Sequence, residues 1–256
     1  MKSLKQAKPH LHFLHYQSKP ISTISHFLQQ QQQSQYCASS SSCEEIKNSK
    51  KLTLTRNEIT KINLLIPRLC LSDNLTTAIH LTTATLLAKP PHKSISLSIL
   101  IHSLTSQPDM TKPVSLLTIL RHTPQAHDYL TPITTMLITS YVKRKRPKEA
   151  FKVYQWMLRP GSPCRVEKIV FLALVNGFCE FGLVLEGLRI LRDMVDVGFV
   201  PGVRLRRRVY RSLLMEARVR EAVELDKALC FYANGDVDGV SKLRKLLDPV
   251  IRNWTE

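Results

Sequence analysis

Hydrophobic positions recur along the chain at helical spacing, and the clearest case lies at 168–202. Phe171, Leu174, Val175 and Phe178 stand at i, i+3, i+4 and i+7. That spacing gives one apolar face to a helix. A second helix follows with Val184, Leu188, Leu191, Met194 and Val195 on one side. Gly182 is placed to end the first helix in the left-handed region, and Gly198 to end the second. Pro201 cannot continue a helix and marks the break. A pair of helices this short cannot bury its apolar face alone and requires a neighbour of the same kind.

The same pattern can be stepped along the chain. At 131–167 the first face is Thr134, Leu137, Ile138 and Tyr141, and the second is Ala150, Val153, Tyr154 and Met157. At 94–130 the faces are Leu97, Leu100, Ile101, Leu104 and Pro113, Leu116, Leu117, Leu120. Pro113 suits the start of a helix, where a missing N–H does no harm. At 59–93 they are Ile62, Leu65, Ile66, Leu69 and the weaker Ala78, Leu81, Thr82, Thr85. Pro67 falls inside that first helix and is expected to kink it. At 203–237 they are Arg206, Val209, Tyr210, Leu213 and Ala222, Leu225, Asp226, Leu229, so that Arg206 and Asp226 occupy positions apolar elsewhere. Residues 238–256 read as a capping helix and tail. Val240, Leu243, Leu246 and Leu247 form its face, and Pro249 bounds it. Five units of constant period predict an all-α solenoid of helix-turn-helix repeats of about 35 residues, and not a globular bundle.

The first 42 residues break this pattern. They contain no Asp or Glu, carry Lys2, Lys5, Lys8 and Lys19, are rich in Ser, and hold a Gln run at 29–33. This is the composition of an organelle transit peptide, although Arg is absent before Arg56. His10, His12 and His15 fall in this segment and are not read as a metal site. Residues 43–58 read as low-complexity linker, with folding expected to begin near 56–59.

Charge and cysteines narrow the function. The chain has 256 residues and a formal charge of +17, which points to a polyanion partner or to organelle import. No apolar run reaches the 18 or so residues of a transmembrane helix, so no membrane insertion is expected. Cys37, Cys43, Cys70, Cys164, Cys179 and Cys230 are scattered, with no CxxC pair and no zinc spacing. No metal or other cofactor is expected. G-x-S-x-G, P-loop, zinc-protease and zinc-deaminase signatures are all missing. The chain reads as a binding module and not as an enzyme.

Three stretches carry a family resemblance: NGFCEFG at 176–182, LRDMVDVGFVPG at 191–202, and LITSYVKRKRPKEAFKVYQWM at 137–157. They resemble the pentatricopeptide repeat. Phe171, Leu174, Val175, Gly177, Glu186, Gly187, Met194, Gly198 and Pro201 match its pattern in one unit. Leu137, Ile138, Ser140, Glu149, Ala150 and Met157 match it in the unit before. Glu221 and Ala222 fit in the unit after. A tetratricopeptide reading is disfavoured by the longer period and the missing W…LG…Y pattern.

The resemblance implies a right-handed superhelical solenoid of the type without a C-terminal editing domain. It also implies a plant organelle (mitochondrion, or else chloroplast) and single-stranded RNA as partner, about one base per repeat. The first base-facing position of each unit would be Asn63, Ser98, Thr135, Leu172 and Arg207. Asn63, Ser98 and Thr135 have the hydrogen-bonding groups to read a base. The closing positions Lys93, Leu130, Arg165 or Glu167, Gly202 and Val237 are none of them the Asp or Asn usual in the family. Phosphate contacts would come from Lys143, Arg144, Lys145 and Arg146, where Lys143 matches a phosphate-contacting position of the family. Arg204, Arg206, Arg207, Arg208 and Arg211 would add to them. The roles implied are RNA processing, stability, splicing or translation. The second reading is a degenerate scaffold for protein contacts in an organellar ribonucleoprotein.

Overall fold

In the computed structural model, residues 54–88, 95–233 and 239–255 are described. The transit peptide expected over 1–42, most of the expected linker, and the closing positions Lys93 and Val237 lie outside them. The described residues hold eleven α-helices and no strand. These are α1 (Arg56–Leu71), α2 (Leu75–Leu86), α3 (Ser98–Ser106), α4 (Thr111–Arg121), α5 (His127–Lys143) and α6 (Pro147–Met157). They continue as α7 (Lys168–Glu180), α8 (Val184–Asp196), α9 (Val203–Met215), α10 (Val219–Ala233) and α11 (Gly239–Arg252). Short 3-10 turns precede α5 and follow α11. Within the described residues no helix is long and apolar enough to cross a membrane.

The odd-numbered helices α1 to α9 form one row, each packed on the next, while each even-numbered helix folds back on the helix before it. The apolar faces read from the sequence point into the seam between the rows. Leu100, Leu104, Leu137, Ile138, Leu174, Val175, Leu188 and Leu191 are all buried. Leu65 stands at the register of Leu100, Leu137, Leu174 and Val209 yet is 46% exposed. Among the described residues no odd-row helix precedes α1 to cover it. Thr82, Thr85 and Thr134 are buried on these faces because each hydroxyl donates back to a carbonyl four residues earlier.

Small side chains set how closely the first helices approach. Ser103, Ser140, Gly177 and Ser212 share one register. Ser140 and Thr105 hydroxyls meet at 2.7 Å across α3 and α5. Ser212 donates to the Cys179 carbonyl across α7 and α9. A Cβ at Gly177 would lie 2.7 Å from Val142 Cγ1, so this contact leaves no room for a side chain without Val142 moving.

Four of the five first helices end in the same turn. The amide five residues on bonds back at Asn74 to Leu69, Arg146 to Tyr141, Leu183 to Phe178 and Arg218 to Leu213. The residue before each donor lies at positive φ: Asp73, Lys145, Gly182 and Ala217. Only Gly182 is legible as such a turn from its residue type, because the other three are L residues in a region that suits glycine. Ala217→Gly is therefore expected to raise stability by roughly 0.5–1 kcal/mol, the left-handed penalty relieved less the added entropy of the unfolded chain. Urea unfolding of the two proteins measures it.

The exception is α3. Pro108 occupies the position at which the left-handed residue would stand, and its ring holds φ near −65°. The chain leaves α3 in extended conformation at Gln107, with φ −63° and ψ 145°.

Prolines also stand inside helices, and at Pro249 this departs from expectation. Pro67 sits within α1 without ending it. Pro249 does not bound the last helix, which runs on to Arg252. The reason lies beyond the proline. Arg218 donates to the carbonyls of Asn253 and Trp254, and its guanidinium lies 4.5 Å from the Trp254 ring centre. Those contacts tie the segment beyond the proline to the turn between α9 and α10. α11 itself turns to the second-helix side and packs on α8 and α10. Arg244–Asp196 at 2.8 Å and Arg192–Asp248 at 3.4 Å flank that contact. α1 is capped by Thr55 and Glu58 in a reciprocal box, so the helix starts at Arg56, inside the expected linker.

Candidate nucleic-acid interface

The five positions expected to face bases lie in one register along the row of first helices, but their chemistry changes from end to end. Asn63 is half-buried and accepts a hydrogen bond from the Ser96 amide at 3.2 Å. Ser98 is exposed, with Ser96 Oγ at 3.2 Å. Thr135 is half-buried, and its Oγ1 is enclosed with no protein partner. Leu172 is half-buried and apolar, and Arg207 is exposed.

One helical turn further on stand His102, Thr139, Asn176 and Arg211. Of these, Arg211 alone belongs to the set expected from the sequence. The signal for the others is in the spacing, since residues four apart on a helix share a face. Two of them are tied locally: Thr139 donates to the Thr135 carbonyl at 2.9 Å and Asn176 to the Leu172 carbonyl at 2.8 Å.

The nine basic residues expected to meet phosphate divide into two groups. Arg146 is turned into the fold. Its guanidinium donates to the carbonyls of Thr105 at 2.9 Å, Pro108 at 3.0 Å and Gln107, and to Glu149 at 3.2 Å. It also lies 5.2 Å from the Tyr141 ring centre. Pro108 has no N–H to offer the Thr105 carbonyl, as Lys145 offers Val142 at the end of α5, so Arg146 supplies a donor that this helix end lacks. Burial, followed by smaller charge effects, pushes the Tyr141 hydroxyl up to about 12. Arg146→Ala is expected to cost about 2 kcal/mol, the scale of hydrogen bonds from a charged group, whereas Lys143→Ala stays within about 0.5 kcal/mol. Paired thermal melts distinguish them.

Arg144 is half-buried against α3, donating to His102 Nε2 at 2.9 Å and to the His102 carbonyl at 3.2 Å. Arg206 points between α9 and α10, where its Nη1 donates to Cys230 Sγ and its Nε is enclosed without a partner. Arg206 and Asp226 are both half-buried and line one small cleft with Leu225 and Leu229. These three arginines are held by protein groups.

The second group is open to solvent. Lys143 and Lys145 are exposed at the end of α5. Arg204, Arg207, Arg208 and Arg211 are exposed on α9 at a spacing that places them on one side of the helix. Arg208 lies 3.8 Å from Glu180, an exposed pair that water screens to little net effect. The cationic surface is thus concentrated on α9. Between it and Lys143, the matching position on α7 is Glu180, so the two clusters are not joined by a continuous basic line.

Comparison with known proteins places this array among others of its kind. A family model described as PPR repeat matches residues 133–161 and 169–199. A pentatricopeptide repeat-containing protein of Arabidopsis thaliana is 29% identical over 72 residues, covering 28% of this chain and 12% of that protein. A putative pentatricopeptide repeat-containing protein of the same plant is 23% identical over 157 residues, covering 60% of this chain and 30% of that protein. The chain therefore spans less than a third of the length of either relative.

Proposed function

The chain belongs to the pentatricopeptide-repeat family, and from that premise we propose that it binds single-stranded RNA in a plant organelle. The strand lies along the open side of the first helices, in a role in RNA processing, stability, splicing or translation. The mitochondrion is the compartment we favour over the chloroplast. Any catalysis comes from a partner.

The observation that carries this reading is the register running from Asn63 to Arg207, which ends on the exposed arginines of α9. Asn63, Ser98 and Thr135 offer hydrogen-bonding groups to bases. Arg204, Arg207, Arg208 and Arg211, with Lys143 and Lys145, offer charge to phosphates. Base reading is restricted to the N-terminal three units, because Leu172 has no group to donate or accept.

Retention of single-stranded RNA by the purified chain over a salt series tests it. Binding that weakens steeply as salt rises is expected. A chain that ignores RNA at low salt overturns the reading. Leu172 and the closing positions without Asp or Asn favour one second reading, a scaffold for protein contacts in an organellar ribonucleoprotein. Co-purifying protein that survives nuclease and moderate salt is its signature.

A further inference from the structure

The internal joints of the array close in a repeated way. Ile66, Ile101, Ile138 and Val175 stand at one register of the first helices, and all are buried. Thr82, Leu117, Tyr154 and Leu191 share a register of the second helices and are buried too. The following unit supplies the cover, as where the Phe171 ring meets Tyr154 at 6.0 Å and the Ser212 hydroxyl donates to the Cys179 carbonyl.

In the fifth unit the same two registers hold Tyr210 and Asp226, and both are only half-buried. Among the described residues no first helix follows α9, because α11 turns aside to pack on α8 and α10. Leu214, at the register of the buried Cys70, Thr105 and Cys179, is 38% exposed. Arg206, Tyr210 and Leu214 follow at steps of four and form a stripe along α9. Val219, Val223 and Asp226 form a second stripe on α10, with Val219 exposed and Val223 half-buried.

The charges on this face are incompletely paired. Asp226 lines a cleft with Arg206 and Tyr210. Among the described residues its carboxylate forms no ion pair or hydrogen bond. The Arg206 guanidinium engages Cys230 through Nη1, and its Nε is enclosed without a partner. A half-buried carboxylate without a partner costs stability, and a charge-assisted bond from a guanidinium offsets that cost.

Continuing the array with a second copy, α1 on α9, does not answer this need. Ile62 stands at the register of Phe171 and would close over Asp226, leaving the carboxylate buried against an apolar side chain. Arg68 stands at the register of Ser103, Ser140, Gly177 and Ser212, where small side chains allow first helices to approach. A two-fold arrangement does answer it. With the axis midway between Arg206 and Asp226, each guanidinium meets the carboxylate of the other copy, and the apolar stripes close on one another.

We propose that the open face of α9 and α10 is the interface of a symmetric dimer of this chain, with Arg206 and Asp226 paired reciprocally across it. Tyr210, Leu214 and Val223 supply its apolar centre, and the two ion pairs fix its register. The contact calls on none of Arg204, Arg207, Arg208 and Arg211, so it does not rest on the RNA reading.

Sedimentation equilibrium of the full chain, treated with nuclease, tests the proposal. Salt at about 0.3 M shortens the Debye length to roughly 6 Å and screens the +17 charge of each copy. An association that ends at two copies is expected between roughly 1 and 100 µM. Leu214→Glu, at a position already open to solvent, should weaken it about tenfold or more. Asp226→Arg and Arg206→Asp should each do the same, because each sets like charges against one another. An equimolar mixture of those two variants should dimerise again, since every pair across the interface then has opposite charges. Circular dichroism melts check that each variant is folded, and Leu214→Glu reads the face even where Arg206→Asp does not fold. A wild-type chain that stays monomeric at about 100 µM, or growth into open polymers, overturns the proposal. So does a dimer that Leu214→Glu and Asp226→Arg leave intact, or a folded mixture that stays monomeric.

Discussion

Glutamine at Arg207, Arg208 and Arg211 together is expected to lower affinity for single-stranded RNA by about 100-fold near 0.1 M salt. Each phosphate contact on a single strand releases roughly 0.7 of a counterion, so three lost contacts also flatten the salt slope by about 2. The wild-type and variant curves should converge as salt approaches about 1 M, since the term lost is the screened one. The loss should be uniform across oligonucleotide sequences, because phosphate contacts carry no base information. The variant should keep its fold. All three side chains are exposed, Arg208 makes only a loose pair with Glu180 at 3.8 Å, and glutamine is nearly as good a helix former as arginine. Filter binding over a salt series, with circular dichroism as the control, measures both parts. An unchanged slope would remove α9 from the interface. The same replacement at Arg144 and Arg146 tests the contrast, since their guanidiniums are engaged with α3 and should move stability more than the slope.

Phe171→Ala is expected to be the most damaging single substitution to stability, at about 3–5 kcal/mol, the range for truncating a buried aromatic. Phe171 is 1% exposed. Its ring meets Tyr154 edge-on with centroids 6.0 Å apart, and Phe199 at 5.8 Å. Phe151 joins the same group through Tyr154 and Phe178. The cluster thus spans α6, α7 and the loop after α8, and joins two units. Tyr154 cannot swing in to fill the void, because its hydroxyl donates to Asp193 at 3.0 Å. In a repeat array each unit is held by its neighbours, so a defect at this joint also loosens the helices on either side. Chemical unfolding should show a lowered midpoint. A cost below about 1 kcal/mol would mean that the aromatic joint does not couple the units. A double-mutant cycle with Tyr154→Ala should recover about 0.5–1.5 kcal/mol of coupling.

Much of the helical scaffold is legible in the order of residues. Phe171, Leu174, Val175 and Phe178 announce a buried helical face because burial demands apolar atoms at the helix period, and that demand is local. Gly182 and Gly198 announce their turns for the same reason, and both lie at positive φ. The basic residues are another matter. Arg144, Arg146, Arg206 and Arg207 look alike in a sequence, since a long charged side chain tolerates either water or a cluster of carbonyls. Lys145 and Ala217 also give no sign of left-handed backbone, because that conformation comes from completing a turn and not from any preference of the residue.

The chain alone determined that helices form in pairs, where most of them lie, and which faces are apolar, because helix periodicity and glycine turns act over a few residues. Only the tertiary structure decided which arginines are available to a polyanion. Pro108 denies α3 its own capping turn, and the donors come from Arg146, separated by 38 residues of sequence and beside it in space. Arg218 likewise reaches the carbonyls of Asn253 and Trp254 that follow α11. Each is a long side chain answering an unmet carbonyl on another element, and such a need exists only once the helices are packed.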